Sequence, residues 1–381
     1  MASKLWNDEI NRRDFLRGGA ALGLGGSALW LAMACGSTST AAQPSAPTNY
    51  PKAEIDGDLE YFNWSEYLNP DAITAFEKKY SVKVNQTNFD NMSAMMAKLN
   101  AGINYDLTFP TMDYVEQLVK ANALLPIDHK QLVNWSEVPS YFNNPWYDPH
   151  AYYSTPYAIW TTGIAWRTDH VPDTLAGSWN DLWTLAPKYG GKLFLLDDFQ
   201  EVIGMSLLRL HKDVNSGSRG DLDKAVQEVL NIKQYVGKFS TDDITNMVSG
   251  GAAIHHAWSG DVYQVLSQVD KPEVWKFETC SEGVPTGNDT FVIPKNAKHP
   301  GTALKFIDFM LDPANASANV DYFGYPQVTT AGLQHFNDTI GKQYPFLSLT
   351  LDQAIHGVRE IVPSGSKLQL WDQEWTKIKA G

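Results

Sequence analysis

The strand-to-helix turn that decides this fold reads Tyr61-Phe62-Asn63-Trp64-Ser65-Glu66-Tyr67. An apolar run ends in it, and Asn69, Pro70 and Asp71 then supply a helix cap, a first-turn proline and a first-turn carboxylate. In an open α/β sheet, such turns lie at the carboxyl ends of strands, where ligands bind. The turn predicts either a ligand contact or a surface turn whose Trp64 folds back onto the core.

Length and charge limit the classes of function. The 381 residues are 43% hydrophobic, enough for a sizeable core and for two domains or lobes. The formal net charge is −13, and no basic cluster stands out. Because nucleic-acid phosphates need Lys and Arg for neutralisation, this balance argues against a nucleic-acid partner. It is compatible with a cationic ligand, although many soluble proteins are acidic for solubility alone.

Residues 1–34 are predicted to be an export signal rather than part of the fold. Arg12 and Arg13 precede Phe15 and a Gly-rich apolar stretch that is too short for a comfortable membrane span. The pattern resembles a bacterial twin-arginine signal. Ala34-Cys35 resembles a lipoprotein cleavage box, and residues 35–55 contain a flexible Ser/Thr/Pro tether. We expect a lipid on Cys35 that anchors the chain to a membrane; cleavage after Ala34 without a lipid is the alternative.

The body of the chain alternates strand and helix signals in two sets. Residues 59–121 read β-α-β-α-β, which predicts a mostly parallel sheet. Residues 125–160 form an irregular, aromatic-rich segment that contains prolines, and a strand at 163–167 is predicted to leave the first lobe. A second α/β set starts at Ser178, and residues 369–379 close the chain as an amphipathic helix.

Acidic and aromatic residues recur at later strand ends. Asp198 and Glu201 lie three apart at a predicted helix start, and Trp258-Ser259 forms another turn. Asp289 opens a strand after a Gly-rich turn. Such turns from two lobes would form a cleft for a cation with apolar character. The alternative for Asp198 and Glu201 is a capping pair, because carboxylates belong at helix N-termini.

The order and spacing of these stretches resemble the polyamine (spermidine/putrescine) periplasmic binding proteins of ABC transporters. The similarity runs across about residues 58–381. The stretches that carry it are 61–67, 105–107 with Pro110, 178–183, 196–202, 283–294 and 377–381. The resemblance implies an α/β chain of the type II periplasmic-binding-protein fold, with two lobes, a hinge and an interlobe cleft.

The resemblance also implies an organisation and partners. The first lobe would contain residues 56–166 with 289–335, the second 167–288 with 336–381, and the hinge would lie near Thr168 and Asp289. The protein would be an exported monomer, in the periplasm or on the outer face of the cytoplasmic membrane. Its partners would be a polyamine and ABC permease subunits, which would sense closure of the lobes. No cofactor, metal or catalytic residue is implied.

Position by position, the resemblance assigns ligand contacts to eight residues. They are Trp64, Ser65, Tyr67, Thr111, Asp198, Glu201, Trp258 and Asp289. The tryptophans would form walls along the methylene chain, the hydroxyl groups would hydrogen-bond near the amines, and the carboxylates would pair with ammonium groups. This agrees with the chemistry of a polyamine, which carries separated charges on an apolar stem.

Two positions depart from the family pattern. Asp113 stands where the family usually has an aromatic residue, and Gly287 stands where it often has Trp or another large side chain. The loss of two walls and the gain of a carboxylate predict a bulkier or differently charged amine than the usual ligand. Asp113 is therefore a ligand-binding candidate, Glu360 is a further one, and Glu66 has no assigned role.

Other functions stay open at this point. The altered walls are compatible with a receptor of the same fold for another organic cation or amino compound. A secreted hydrolase is the alternative from another class, since Asp198 with Asp289 could imitate a glycosidase acid pair. The sequence has no G-x-S-x-G elbow, no H-E-x-x-H and no Cys/His zinc spacing, and His255-His256 lies in a predicted buried strand. We therefore expect a binding protein and not an enzyme.

Overall fold

The computed structural model describes residues 46–65, 67–89, 91–172 and 174–380. The predicted export signal, Cys35 and Glu66 lie outside these residues. Across the described ranges, no helix is both long enough and apolar enough to cross a bilayer.

The described strands form one mixed sheet. They are β1 (Leu59–Trp64), β2 (Val84–Phe89), β3 (Leu107–Thr108), β4 (Leu124–Leu125), β5 (Ser154–Arg167), β6 (Leu193–Leu195), β7 (Val236–Phe239), β8 (Ile254–Trp258), β9 (Trp275–Glu278) and β10 (Thr286–Pro294). Their order is β2-β1-β3-β10-β5-β8-β6-β7, with β4 on β10 and β9 on β5.

The sheet is parallel at its two ends and antiparallel at its centre. β1 is parallel to β2 and β3, and β6 is parallel to β7 and β8. The central strands β5 and β10 run antiparallel to each other and to their outer neighbours β8 and β3. The parallel sheet predicted for residues 59–121 is confirmed, since β1 is parallel to both β2 and β3, while the antiparallel centre is formed by β5 and β10. The strand predicted at 163–167 begins earlier, at Ser154. The sequence did not indicate this start, because almost every residue of β5 is buried and no alternation of polar and apolar residues marks it.

Helices cover both ends of the sheet. They are α1 (Pro70–Tyr80), α2 (Met92–Asn100), α3 (Met112–Lys120), α4 (Asn180–Leu185), α5 (Phe199–Arg209), α6 (Arg219–Lys233), α7 (Asp243–Val248), α8 (Ser259–Gln268), α9 (Pro300–Leu311), α10 (Pro313–Phe323), α11 (Thr330–Phe336), α12 (Leu351–His356) and α13 (Gly365–Ala380). α1 begins where the sequence predicts, with Asn69 as its cap: the Asn69 side chain accepts a 2.9 Å hydrogen bond from the Asp71 amide. Ser81, at a left-handed φ of 56°, ends it.

Two large hydrophobic cores lie along the sheet, beside smaller clusters of buried side chains. In the first, the Phe306 ring of α9 packs against Tyr61 and Phe76, with centroids 5.2 and 5.0 Å apart. The second contains Trp179 and the α13 residue Trp375. β5 passes from one core to the other, because Ile159 is buried in the first and Ile164 in the second. Tyr67 belongs to the first core, and Phe199, next to Asp198, belongs to the second, so the predicted site residues lie beside both cores.

Candidate functional site

A cavity of about 570 Å³ opens at the turns that follow β1, β3, β6 and β8. This volume lies within the range of small-molecule pockets, roughly 300–1,000 Å³. All nine residues predicted from the sequence line it: Trp64, Ser65, Tyr67, Thr111, Asp113, Asp198, Glu201, Trp258 and Asp289. Glu360 lines it as well. The fold thus gathers every candidate in one place, and their contacts with a ligand stay predictions.

The first turn presents Trp64 and Tyr67 to the cavity. The indole N–H of Trp64 donates to the carbonyl of Phe109 at 3.0 Å, and its ring packs on Phe89 with centroids 4.6 Å apart. These contacts fix the ring while it stays partly exposed to the cavity. The hydroxyl of Tyr67 donates to Oδ2 of Asp289 at 2.7 Å. A hydrogen bond therefore joins the first turn to β10 at the cavity.

Asp289 is a buried carboxyl with one oxygen to spare. Its side chain is 4% exposed, and Oδ1 has no hydrogen-bond partner among the described residues. Burial, together with the charge of Asp113, raises the pKa of Asp289 to about 7, although the Tyr67 and Trp160 side chains lower it. Burying a carboxylate without a cationic partner is costly, so pairing Asp289 with a cation would reduce the cost of its burial.

Four carboxyl groups form what we call the first acidic cluster: Asp113, Asp198, Glu201 and Glu360. Asp198 caps α5, since its Oδ1 accepts from the amides of Gln200 at 2.8 Å and Glu201 at 3.2 Å. The capping alternative is therefore correct for Asp198. Even so, burial and the charge of Glu201 raise the pKa of Asp198 to about 7. The residue is a cap that also faces the cavity.

Glu201 is held in place by hydrogen-bond donors from β5 and β8. Its Oε1 accepts from the Thr162 hydroxyl and from the indole N–H of Trp258, both at 2.9 Å. Nε2 of the fully buried His256 lies 3.5 Å from Oε2. Glu201 is thus no cap, and Trp258 positions this carboxylate as well as forming a wall. His256 packs beneath the site, in the predicted buried strand.

Asp113 and Glu360 complete the first acidic cluster. Asp113 accepts from the Thr111 hydroxyl at 2.6 Å and from Nε2 of Gln200 at 3.2 Å, and its pKa is raised by burial. Glu360 is 6% exposed, and its Oε1 has no partner among the described residues. A Cβ at residue 204 would lie 2.5 Å from that oxygen, so Gly204 of α5 makes room for the carboxyl. Burial and the charges of Glu201, Asp198 and Asp113 raise the pKa of Glu360 well above its ordinary value.

Asp243 and Asp261 form the second acidic cluster, which sequence reasoning missed. The Tyr325 hydroxyl donates to Oδ1 of Asp261 at 2.5 Å. Burial and the neighbouring charge of Asp261 raise the pKa of Asp243 well above its usual value. A signal existed for Asp261, which lies three residues after Trp258 at the start of α8. Asp243 follows β7, whose mixed burial gave no clear strand pattern.

The lining of the cavity is acidic and aromatic. Its carboxyl groups are Asp113, Asp198, Glu201, Asp242, Asp243, Asp261, Asp289 and Glu360, and no Lys, Arg or His is found among the described lining residues. Across the described ranges, no cluster of His, Cys, Asp and Glu has a geometry that would hold a metal ion. This arrangement can hold an organic cation, with Trp64, Trp160 and Trp258 against its apolar part.

Comparison with known proteins agrees with this geometry. The family model described as bacterial extracellular solute-binding protein matches residues 71–340. This chain belongs to that family. It is 29% identical over 342 residues to the spermidine/putrescine-binding periplasmic protein of Escherichia coli K12, covering 86% of this chain and 93% of that protein.

Solved structures extend the likeness to the fold. The spermidine/putrescine ABC transporter substrate-binding protein of Streptococcus pneumoniae is 25% identical with a TM-score of 0.72, covering 85% of this chain and 99% of that one. The TpPotD lipoprotein of Treponema pallidum is 25% identical with a TM-score of 0.74, covering 84% and 99%. The predicted two-lobed periplasmic-binding-protein fold is confirmed, as is the predicted relationship to the polyamine-binding proteins.

Proposed function

We propose that this protein is the exported solute receptor of an ABC importer and captures a polyamine of the spermidine or putrescine type. The observation that carries the proposal is Asp289, a buried carboxyl with an unpartnered oxygen that lies between two acidic clusters. No basic side chain among the described lining residues neutralises it. The ligand itself must therefore bring the positive charge.

The position of Asp289 supports a ligand with separated charges. Asp289 lines the same cavity as Asp113 of the first acidic cluster and Asp261 of the second, and the charges of both raise its pKa. Each ammonium group taken out of water needs a paired carboxylate, or its burial costs several kcal/mol. The first acidic cluster, Asp289 and the second acidic cluster could each pair with one ammonium group. They suit a triamine, or a diamine that pairs with two of them. The indoles of Trp64 and Trp258 would cover the methylene groups between the charges.

We propose that the receptor closes by a hinge between its lobes, 56–166 with 289–335 and 167–288 with 336–381. The passage of β5 from one core to the other, between Ile159 and Ile164, supports a crossing shortly before Thr168. The hydrogen bond from Gln200 of α5 to Asp113 of α3 supports a cleft that residues from both lobes close. Ligand bound to both sides would favour the closed form, which a permease would recognise. The receptor would act as a monomer and without catalysis.

Thermal unfolding with a panel of ligands tests the function. A ligand that binds only the native state raises the melting temperature Tm, so spermidine, spermine, putrescine, amino acids and sugars are compared at equal concentration. We expect a large rise with at least one polyamine and none with the sugars. A response to another organic cation alone would replace the polyamine with that ligand class. Conversion of the ligand into a product, followed by mass spectrometry, would contradict a binding role.

Export and anchoring form a separate part of the proposal. Arg12, Arg13 and the Ala34-Cys35 pair support a twin-arginine signal followed by a lipidated cysteine. Acyl chains on Cys35 would supply the membrane anchor. Cys35→Ser should therefore move the protein from the membrane fraction to the soluble fraction. If the wild type is soluble and its mass shows no lipid, simple cleavage after Ala34 replaces the lipoprotein proposal.

A further inference from the structure

Trp160 and Gly287 are opposed residues on the two central strands. In the antiparallel pair β5–β10, Gly287 is the Cα partner of Trp160, and Asp289 is the partner of Ala158. Because side chains alternate along a strand, Trp160 shares one face of the sheet with Gly287 and Asp289. Trp160 and Asp289 both line the cavity, so this face is turned towards the cleft.

The indole of Trp160 occupies the space above Gly287. A Cβ at residue 287 would lie 2.3 Å from Cζ2 and 3.0 Å from Cη2 of that indole. Real Cβ atoms do not approach this closely, so no side chain fits at residue 287 while Trp160 keeps its position. Glycine at 287 is therefore a steric requirement of this tryptophan.

We infer that Trp160 is the aromatic wall of the cleft beside Asp289, provided by β5 in place of a side chain at residue 287. The inference rests on the proposed function, and it makes the pair Trp160–Gly287 a determinant of ligand specificity. It corrects the expectation that Gly287 costs the cleft a wall. The wall is present, but the opposite strand supplies it.

The position of the indole gives it a definite part in binding. Trp160 is close enough to Asp289 to lower the pKa of that carboxyl, in opposition to the larger effect of burial. An ammonium group paired with Asp289 would place its neighbouring methylene groups, and part of its charge, against the indole face. The ring comes from a strand buried on both sides and is backed by strand backbone, so little conformational freedom would be lost when the ligand binds.

An exchange of the two residues tests the inference. Wild type, Trp160→Gly, Gly287→Trp and the double variant are titrated with spermidine by calorimetry, and the Tm of each is measured without ligand. We expect Trp160→Gly to weaken binding roughly 3- to 30-fold, the range of a desolvated cation–π contact. Gly287→Trp should weaken binding and lower the Tm, because two indoles then compete for one space. The double variant should recover both quantities beyond the sum of the single changes.

Two further variants separate the aromatic face from mere volume. Trp160→Phe should keep more affinity than Trp160→Leu, since only the first retains a π face. Equal affinity of wild type and Trp160→Leu, or strictly additive losses in the double variant, would overturn the inference. A wild type that binds no polyamine while the Tm still recovers in the double variant would refute the proposed ligand and keep the steric pairing of the two residues.

Discussion

The two acidic clusters of the cleft are built in different ways. In the first, Asp113, Asp198 and Glu201 each accept hydrogen bonds from the protein, and Glu360 adds a fourth carboxyl whose Oε1 has no partner among the described residues. The second contains Asp243 and Asp261, with the Tyr325 hydroxyl bound to Asp261. Loss of one carboxylate should therefore weaken ligand binding less in the first cluster, which has four, than in the second, which has two. The number of acidic residues in a cluster does not show how much each contributes to binding.

Asp289 lies between the clusters, and we expect its loss to have the largest effect. Asp289→Asn keeps the shape and an acceptor for the Tyr67 hydroxyl but removes the charge. A charge-assisted hydrogen bond is worth about 1.5–3 kcal/mol, so spermidine affinity should fall roughly ten- to a hundredfold by calorimetric titration. Asp270→Asn, which changes an exposed carboxylate away from the cavity lining, is the matched control. Unchanged affinity together with a lower Tm would leave Asp289 with a structural role only.

Removing one charge from each acidic cluster shows which cluster contributes more to binding. Asp261→Asn should weaken spermidine binding about tenfold, while Glu360→Gln should weaken it less than about threefold. Glu360→Gln should also raise the Tm of the ligand-free protein at neutral pH, because it removes a buried group that three carboxylates repel. Calorimetry and thermal unfolding measure the two quantities. The reverse order of affinities would show that the second cluster is the dispensable one.

The stability of the ligand-free protein should fall as the pH rises, and bound spermidine should offset that fall. The folded-state pKa values of Asp198 and Asp289 are raised from 3.8 to about 7, so the folded protein holds these protons more tightly than the unfolded chain does. Their contribution to stability is complete below about pH 4 and is lost as the pH rises through about 7. We expect the Tm of the ligand-free protein to fall over this pH range. Spermidine should raise the Tm more at about pH 8 than at about pH 5.

The Asp289→Asn variant separates this linkage from other titrations. Because it lacks one of the carboxyl groups whose pKa is raised, its Tm should decline less between acidic and neutral pH than that of the wild type. An identical pH dependence in both proteins would show that Asp289 does not titrate in this window.

Loss of the Asp113 charge should have a small effect on affinity. Its carboxyl already accepts from the Thr111 hydroxyl and from Gln200, so a ligand gains little from it directly. Asp113→Asn should change spermidine affinity only a few-fold while shifting the preference among putrescine, spermidine and spermine, as measured by competition titration. An ordinary optimum for spermidine or putrescine that this variant leaves unchanged would show that the departure at residue 113 is neutral.

Local chemistry along the chain explains why much of the site could be predicted. Helix starts at Asn69-Pro70 and at Asp198 follow from capping, which depends on neighbours within three residues. Strand ends of an α/β sheet collect at one place, so Trp64, Asp198 and Trp258 could be assigned to one cleft before their contacts were known. Asp289 is a candidate because it opens a strand after a Gly-rich turn, whereas Thr111 is added only by the resemblance to the polyamine-binding proteins.

The α/β class, the cap-and-turn positions and the acidic, aromatic character of the cleft follow from the sequence, because they depend on short-range pattern and composition. Which side chains meet depends on the folded chain. Tyr67 and Asp289 are 222 residues apart, and Gln200 and Asp113 are 87 apart. The second acidic cluster, the carboxyl of Glu360 above Gly204 and the indole of Trp160 above Gly287 arise from strand register and close packing across the sheet. Such contacts between residues far apart in the chain leave no periodic signal in the sequence.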